Sequence, residues 1–286
     1  MLRTRSLLFI LMSLASVNAQ TPKGIVSTAP SFTETLYALG AGDRVLAVST
    51  YCHYPPAVDK LPRVGSYLQP NIEVIARLQP ELVLAHAEQR QALGQLASLG
   101  IRTLALRNTN LEDIFKSIRD IGSAIGLAQR GVELERGIRA KLSAIEKRAA
   151  DKPRRSLLFI VGRAPGRLDG MMAVGKGSFL NEIIRIAGGR NVLGDSLVAY
   201  PQISLEAVVR MDPDVIVDMG DMSETTGVTE RHKEAVVKLW ESQVGLRAVA
   251  RKGVYAVAAD IFVVPGPRVT EAAEAFSQML FGGARP

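Results

Sequence analysis

Residues 72–85 read IEVIARLQPELVLA, and residues 205–218 read LEAVVRMDPDVIVD. Glu73 matches Glu206, Arg77 matches Arg210 and Pro80 matches Pro213, all at one constant offset. Each copy opens on a polar cap, Asn71 or Ser204, and runs through a short amphipathic stretch. Each then breaks at proline and ends in an apolar run. Cap, helix, breaker and buried strand make one α/β unit. Two copies are too few for a solenoid, so the repeat predicts two similar lobes.

A second match lies upstream of each copy. Ser31-Phe32 with residues 42–46 (GDRVL) echoes Ser178-Phe179 with residues 189–193 (GRNVL). Here the offset is larger, because the first copy carries a longer loop over residues 46–72. In the first half, strands are expected at 24–28, 45–49, 82–85 and 103–106, and helices at 31–39 and 88–99. In the second half, strands are expected at 156–161, 215–217 and 254–257, and helices at 179–187 and 270–280. Alternating strands and helices argue for a parallel α/β fold with two Rossmann-like lobes. The unbroken run SLLFIV at 156–161 suits a strand covered on both faces.

Residues 111–151 are charged and rich in alanine. Leu127, Val132, Leu134, Ile138, Leu142 and Ile145 recur there at helical spacing. They predict one long helix of about 25 residues, roughly 38 Å, joining the lobes. An amphipathic surface helix of one lobe is the alternative. The expected organisation is a signal peptide at 1–19, an N-terminal lobe at 20–125, a linking helix at 126–151 and a C-terminal lobe at 152–286.

The first residues carry Arg3 and Arg5 and no acid, then the apolar run LLFILMSLASV at 7–17, then small residues at Val17 and Ala19. That is the pattern of a secretory signal peptide. The apolar run is shorter than the ~20 residues of a comfortable membrane span. A retained N-terminal anchor is the other reading. The mature protein is expected to begin at Gln20 and to work outside the cytoplasmic membrane.

Of the 286 residues, 47% are hydrophobic and 22% charged. This is ordinary globular usage and excludes a collagen-like or disordered chain. The net charge of +7 permits a nucleic acid, a membrane surface or an anionic ligand as partner. No Lys/Arg run exceeds two residues and aromatics are only 5%, which speaks against nucleic acid. The single cysteine, Cys52, excludes an intramolecular disulfide and a CxxC site.

Catalytic signatures are missing: there is no Gly-x-Ser-x-Gly elbow and no phosphate-binding Gly-x-x-x-x-Gly-Lys. The three histidines are far apart, whereas a zinc site wants several ligands converging. His86 and His232 read as solvated residues, and Cys52 as a small buried one. The aromatics say more. Tyr51 and Tyr54 bracket Cys52-His53 just before Pro55-Pro56. Tyr67 follows Gly65-Ser66, Tyr200 precedes Pro201, and Phe262 follows Asp260. Each lies where a strand has ended. In open α/β sheets the carboxyl ends of strands face the ligand crevice, and tyrosine offers it an apolar face with a hydroxyl handle. Turn packing beside the prolines is the plainer alternative. Glu73 and Glu206 also read two ways. An acid in a helix's first turn gains ~0.3–1 kcal/mol from the dipole. A matched pair, one per lobe, is also suited to docking on a two-fold partner.

These residues make the chain resemble the periplasmic binding proteins that serve ABC importers of cobalamin, haem and ferric siderophores, most of all the cobalamin-binding receptors. The stretches that carry the resemblance are SFTETLYALG at 31–40, YCHYPP at 51–56, VGSY at 64–67, the Asn71-Ile-Glu73 cap with LQPELV at 78–83, YPQIS at 200–204 with Glu206, and Pro267-Arg268. The resemblance implies two Rossmann-like lobes joined by a single long helix, with a shallow cleft between them and little closure. It implies that Tyr51, Tyr67, Tyr200 and Phe262 line the cleft, with Asp260 as a polar contact. It implies that Glu73 and Glu206 engage arginines of a permease dimer. It also implies a cobalt corrinoid or an iron chelate as ligand, no intrinsic cofactor and a monomer.

The chain departs from that pattern in places. Tyr67 and Tyr200 stand where those receptors place tryptophans. Trp240 falls in a helical stretch and reads as packing. The loop GRAPGRLDGMM at 162–172 is long and basic. Its Arg163 and Arg167 are candidates for ligand carboxylates or phosphate, or else solvated charges. Tyr51, His53 and Tyr54 are candidates for an axial position on a bound metal. Two rival classes stay open: an enzyme using Asp260 and His53 as acid and base, and a sensor ectodomain in which the glutamates are plain helix caps.

Overall fold

The computed structural model describes residues 24–221 and 229–282; the expected signal peptide lies outside them. The first half runs β1 (Ile25–Ser27), α1 (Pro30–Ala38), β2 (Val45–Val48), α2 (Ile72–Arg77), β3 (Leu82–His86), α3 (Arg90–Ser98) and β4 (Thr103–Leu106). Two helices follow, α4 (Leu111–Ala124) and α5 (Ala128–Ala149). The second half runs β5 (Arg155–Gly162), β6 (Met171–Ala173), α6 (Phe179–Ile186), β7 (Gly189–Asn191), β8 (Gln202–Ile203) and α7 (Leu205–Met211). It finishes with β9 (Val215–Asp218), α8 (Glu230–Glu241), α9 (Arg247–Ala250), β10 (Val254–Ala256) and α10 (Val269–Phe281).

The repeat holds in the backbone as well as in the sequence. Asn71 Oδ1 accepts from the Val74 amide at 3.0 Å, and Ser204 Oγ from the Ala207 amide at 3.3 Å. The residue before each proline, Gln79 or Asp212, takes φ of +46° or +40°. Few residues other than glycine do so. At both sites this turn aims the helix into the following strand.

Each lobe is built on its own sheet. The first is four-stranded in the order β2-β1-β3-β4, and all its pairings are parallel. Ile25, Leu82 and Leu84 face one core with Phe32 and Leu36, while Val26 and Val83 face another with Ile75 and Leu96. That alternation is the two-residue period of a strand covered on both sides. The second sheet has six strands, β10-β9-β5-β6-β8 with β7 also on β5. Leu157, Phe159 and Val161 enter one core, and Leu158 and Ile160 the other. The parallel expectation holds for β5, β7, β9 and β10, while β6 pairs antiparallel with both β5 and β8. These strands are too short to show an alternation in sequence.

The linking segment is a helical hairpin. α4 stops at Gly126, which takes φ of +77°, and the 22-residue α5 starts two residues later. Gly122 and Gly131 let the two helices approach: a Cβ on Gly122 would lie 3.1 Å from the Gly131 Cα. Glu135 bonds Arg119 of α4 at 2.6 Å and Arg139 at 2.7 Å, and Arg139 reaches Glu112 at 2.5 Å. The far side of α5 lends Ile138, Leu142 and Ile145 to the second lobe's core. Arg130 Nη1 donates to the Leu39 carbonyl of the first lobe at 3.1 Å. The link is therefore braced against both lobes.

Burial alone would raise the Glu135 carboxyl, but its hydrogen bonds to Arg119 and Arg139 outweigh it and the pKa is lowered. A depressed carboxyl stabilises the fold above its unfolded value, about 4.3, and loses that contribution as pH falls through the folded value. Glu135→Gln is thus expected to lower the melting temperature at pH 7. The deficit should shrink towards zero as the scans move below pH 4. A deficit independent of pH would mean that packing, not charge, holds the hairpin.

Candidate functional site

A cleft of about 470 Å³ opens between the lobes, within the range of small-ligand sites. Its first wall is made where strands of the first lobe end: Ser31 after β1, Tyr51 after β2 and His86 at the end of β3. Its second wall is residues 260–265, which follow β10 and bring Asp260, Val263 and Pro265 to the opening. Both walls are carboxyl ends of parallel strands, as doubly wound sheets require.

The first wall is a ladder of rings. Phe32 and His86 lie 4.7 Å apart, His86 and Tyr67 6.0 Å, and Tyr67 and Tyr51 5.9 Å, the last two edge to face. Tyr51 is 52% exposed and Tyr67 40% exposed, so both present surface to an incoming ligand. Tyr200 stands beside Tyr67 with its hydroxyl 3.1 Å from Ser178 Oγ. Burial pushes its hydroxyl pKa up, and the Ser178 bond only partly opposes this, so the phenol stays protonated. Burial lowers the His86 pKa, which keeps the imidazole neutral at pH 7.

Asp260 carries the one carboxylate among the described residues that line the cleft. Burial raises its pKa, and the neighbouring His53 and Arg268 only partly offset that. The acid and base of the enzyme reading therefore do stand near each other. Tyr54 lies under the Arg268 guanidinium, 3.9 Å from the ring centroid, so one of its faces is already occupied.

Three expectations are corrected. Phe262 is 3% exposed and packs edge to face on Phe159 and Phe276. It supports the second wall from behind and does not line the cleft. Arg163 is buried and donates to Asp218 Oδ2 at 2.9 Å and to the carbonyls of Ala164 and Arg167. Its charge is spent inside the second lobe, where it holds the 163–170 loop. Arg167 is exposed, pairs loosely with Asp169 at 3.5 Å and is not among the lining residues. Trp240 is fully buried and donates to the same Asp218 at 2.7 Å, a packing residue as read.

His86 is half-buried and lines the cleft, which corrects the expectation of a solvated residue. Its signal was present: it ends β3, at the strand terminus where the tyrosines were sought. The apolar Val263 and Val264 were missed as well, because two valines between Asp260 and Pro265 look like any core edge. His232 is exposed and closes a capping box with Thr229. Cys52 is buried, bonded to Thr33 and Ser49, with its thiol pKa pushed up by burial. Glu73 and Glu206 are exposed on α2 and α7, and Ser204 helps hold the Glu206 carboxyl below its usual range. A smaller hollow of about 230 Å³ lies between α8 and β10 and is lined by mixed charges.

This fold and sequence match known proteins. Residues 25–260 match the model of the family described as periplasmic binding protein. The chain belongs to that family. As a periplasmic binding protein it is 31% identical over 268 residues to an ABC transporter substrate-binding lipoprotein, YvrC, of Bacillus subtilis, covering 91% of this chain and 80% of that one. It is 31% identical over 228 residues to a vitamin B12-binding protein of Yersinia pseudotuberculosis, covering 79% of each. Among solved structures it superposes on the periplasmic vitamin B12-binding protein BtuF of Vibrio cholerae with a TM-score of 0.74. That match has 28% identity and covers 91% of this chain and 97% of that one. It also superposes on the periplasmic haem-binding protein HutB of Vibrio cholerae with a TM-score of 0.77, at 24% identity, covering 90% and 98%. The family's members are substrate-binding receptors of ABC transporters and not enzymes. Among the described residues no helix is long and apolar enough to cross a membrane.

Proposed function

We propose that this receptor captures a corrinoid of the cobalamin type and hands it to the permease dimer of an ABC importer. The observation that carries the ligand class is the charge of the cleft. Among the described lining residues the formal charge is negative, from Asp260. The arginines that would recognise an anionic chelate are committed elsewhere: Arg163 to buried Asp218, and Arg268 to Glu34. Haem carboxylates and acidic siderophores would meet a carboxylate there, and Arg268 beside it is already paired with Glu34. A corrinoid edged with neutral amides suits tyrosine hydroxyls, one carboxylate and apolar walls. The vitamin B12-binding relatives point the same way.

The test is calorimetric titration of the purified protein with cyanocobalamin, with haemin and a ferric hydroxamate in parallel. Saturable one-to-one binding of cyanocobalamin alone is expected. Binding of haemin or the hydroxamate instead would overturn the charge argument and turn attention to the tyrosine hydroxyls as metal ligands. Tyr67→Ala is expected to weaken cyanocobalamin by about 1.5–3 kcal/mol, the worth of burying a large aromatic side chain. Unchanged affinity would remove Tyr67 from the site.

Glu73 and Glu206 are assigned here to permease docking. In support, they occupy matched positions of the repeat, are both exposed, and sit one on each lobe. A pair so placed meets the symmetry of a dimeric partner.

A further inference from the structure

We infer that Arg268 is a positioning residue that clasps the two lobes and fixes the cleft's shape before any ligand arrives. Its affinity arm rests on the ligand reading above; its geometry does not. Arg268 Nε donates to Glu34 Oε2 at 3.0 Å and Nη2 donates to Oε1, a two-pronged pair between residues 234 apart in sequence. The side chains are 15% and 3% exposed. The same guanidinium lies 3.9 Å above the Tyr54 ring. Beside it, Asn108 Nδ2 donates to Ser31 Oγ at 2.9 Å and across the lobes to the Pro265 carbonyl at 3.0 Å. Gly266 is seated against α1, where a Cβ would lie 3.3 Å from both the Ser31 Cα and Glu34 Oε2.

Each of these contacts joins a segment that lines the cleft. Ser31 lies in the first turn of α1, Tyr54 closes the loop that carries Tyr51, and Pro265 ends the second wall. Arg268 thus ties its own segment to α1 and to the Tyr51–Tyr54 loop, and Asn108 bridges the two walls beside it. A buried ion pair adds little net stability, because desolvation cancels most of the attraction; what it does supply is one defined geometry. Only arginine can fork onto a carboxylate and stack on a ring at once. A cleft held in its bound shape spares the ligand that ordering cost.

The clasp can be tested without a ligand. Spin labels on Glu73→Cys and Glu206→Cys report the distance between lobes, and native Cys52 is buried. The Glu34→Leu/Arg268→Met pair removes the clasp and leaves neither charge unpaired. It is expected to broaden the distance distribution at least about twofold. An unchanged distribution overturns the inference. In the second arm, the apolar pair should bind cyanocobalamin roughly tenfold more weakly. Tyr54→Leu should then add little further loss, since both act through one clip. Arg268→Lys, which keeps the charge and loses the fork, should be impaired in both arms; wild-type behaviour would overturn the inference, as would additive losses with Tyr54→Leu. If cyanocobalamin fails to bind the wild-type protein, the ligand reading falls while the distance measurement still decides the clasp.

Discussion

Asp218→Ala is expected to cost about 3–5 kcal/mol of folding stability, the largest single effect foreseen for this chain. Asp218 ends β9 with no exposed surface. One carboxylate oxygen accepts from Arg163 Nε at 2.9 Å and Trp240 Nε1 at 2.7 Å, and the other from the Gly220 amide at 2.7 Å. Removing it strands a buried guanidinium, an indole N–H and a backbone N–H together. Each unpaired buried donor costs on the order of 1–3 kcal/mol, and the charged one more. Trp240 is the only tryptophan in the chain and is fully buried. Its emission in a urea titration therefore reports this lobe directly. Arg163→Met should lose less, because the carboxylate keeps two of its three donors. A loss below about 1 kcal/mol for Asp218→Ala would mean that water replaces the carboxylate, and the network would not be what holds the 163–170 loop.

The Glu73→Ala/Glu206→Ala double variant is expected to leave ligand affinity unchanged and to abolish uptake. The two carboxylates are exposed in the free receptor and interact only with their own helices and caps, so their removal should not disturb the fold beyond the loss of a favourable helix-dipole contact. At a docked interface each would pair with a desolvated cation. Losing one such partner costs about 2–5 kcal/mol, so the double variant should dock at least roughly a thousandfold more weakly. Uptake of radiolabelled cyanocobalamin by cells carrying the variant, set beside calorimetry on the purified protein, separates the two steps. Uptake at the wild-type rate would return the glutamates to the role of helix caps. A fall in calorimetric affinity would place them in the ligand site instead.

The lobes were readable in the chain because the signals that make them are local. Asn71 and Ser204 cap their own helices, and Pro80 and Pro213 break them. The strands that follow are apolar on both faces because both faces are covered. Tyr51 was legible for the same reason, since it follows the end of β2, whereas Tyr67 lies deep in the loop before α2 and Tyr200 lies just before β8.

What sequence alone could not decide was which charges remain available and which rings face outward. Arg163 and Arg167 look alike in a basic loop. Only the fold sets one against Asp218, 55 residues away, and leaves the other in solvent. Phe262 and Tyr51 are both aromatic residues after strands, yet one meets Phe159 and Phe276 and the other meets the cleft. Glu34 and Arg268 carry no local sign of each other. Repeat, caps and strand ends are set by neighbours along the chain, so the sequence determined the two-lobe receptor frame. Burial and pairing are set by neighbours in space, so the tertiary structure alone decided the charge of the cleft and the clasp that shapes it.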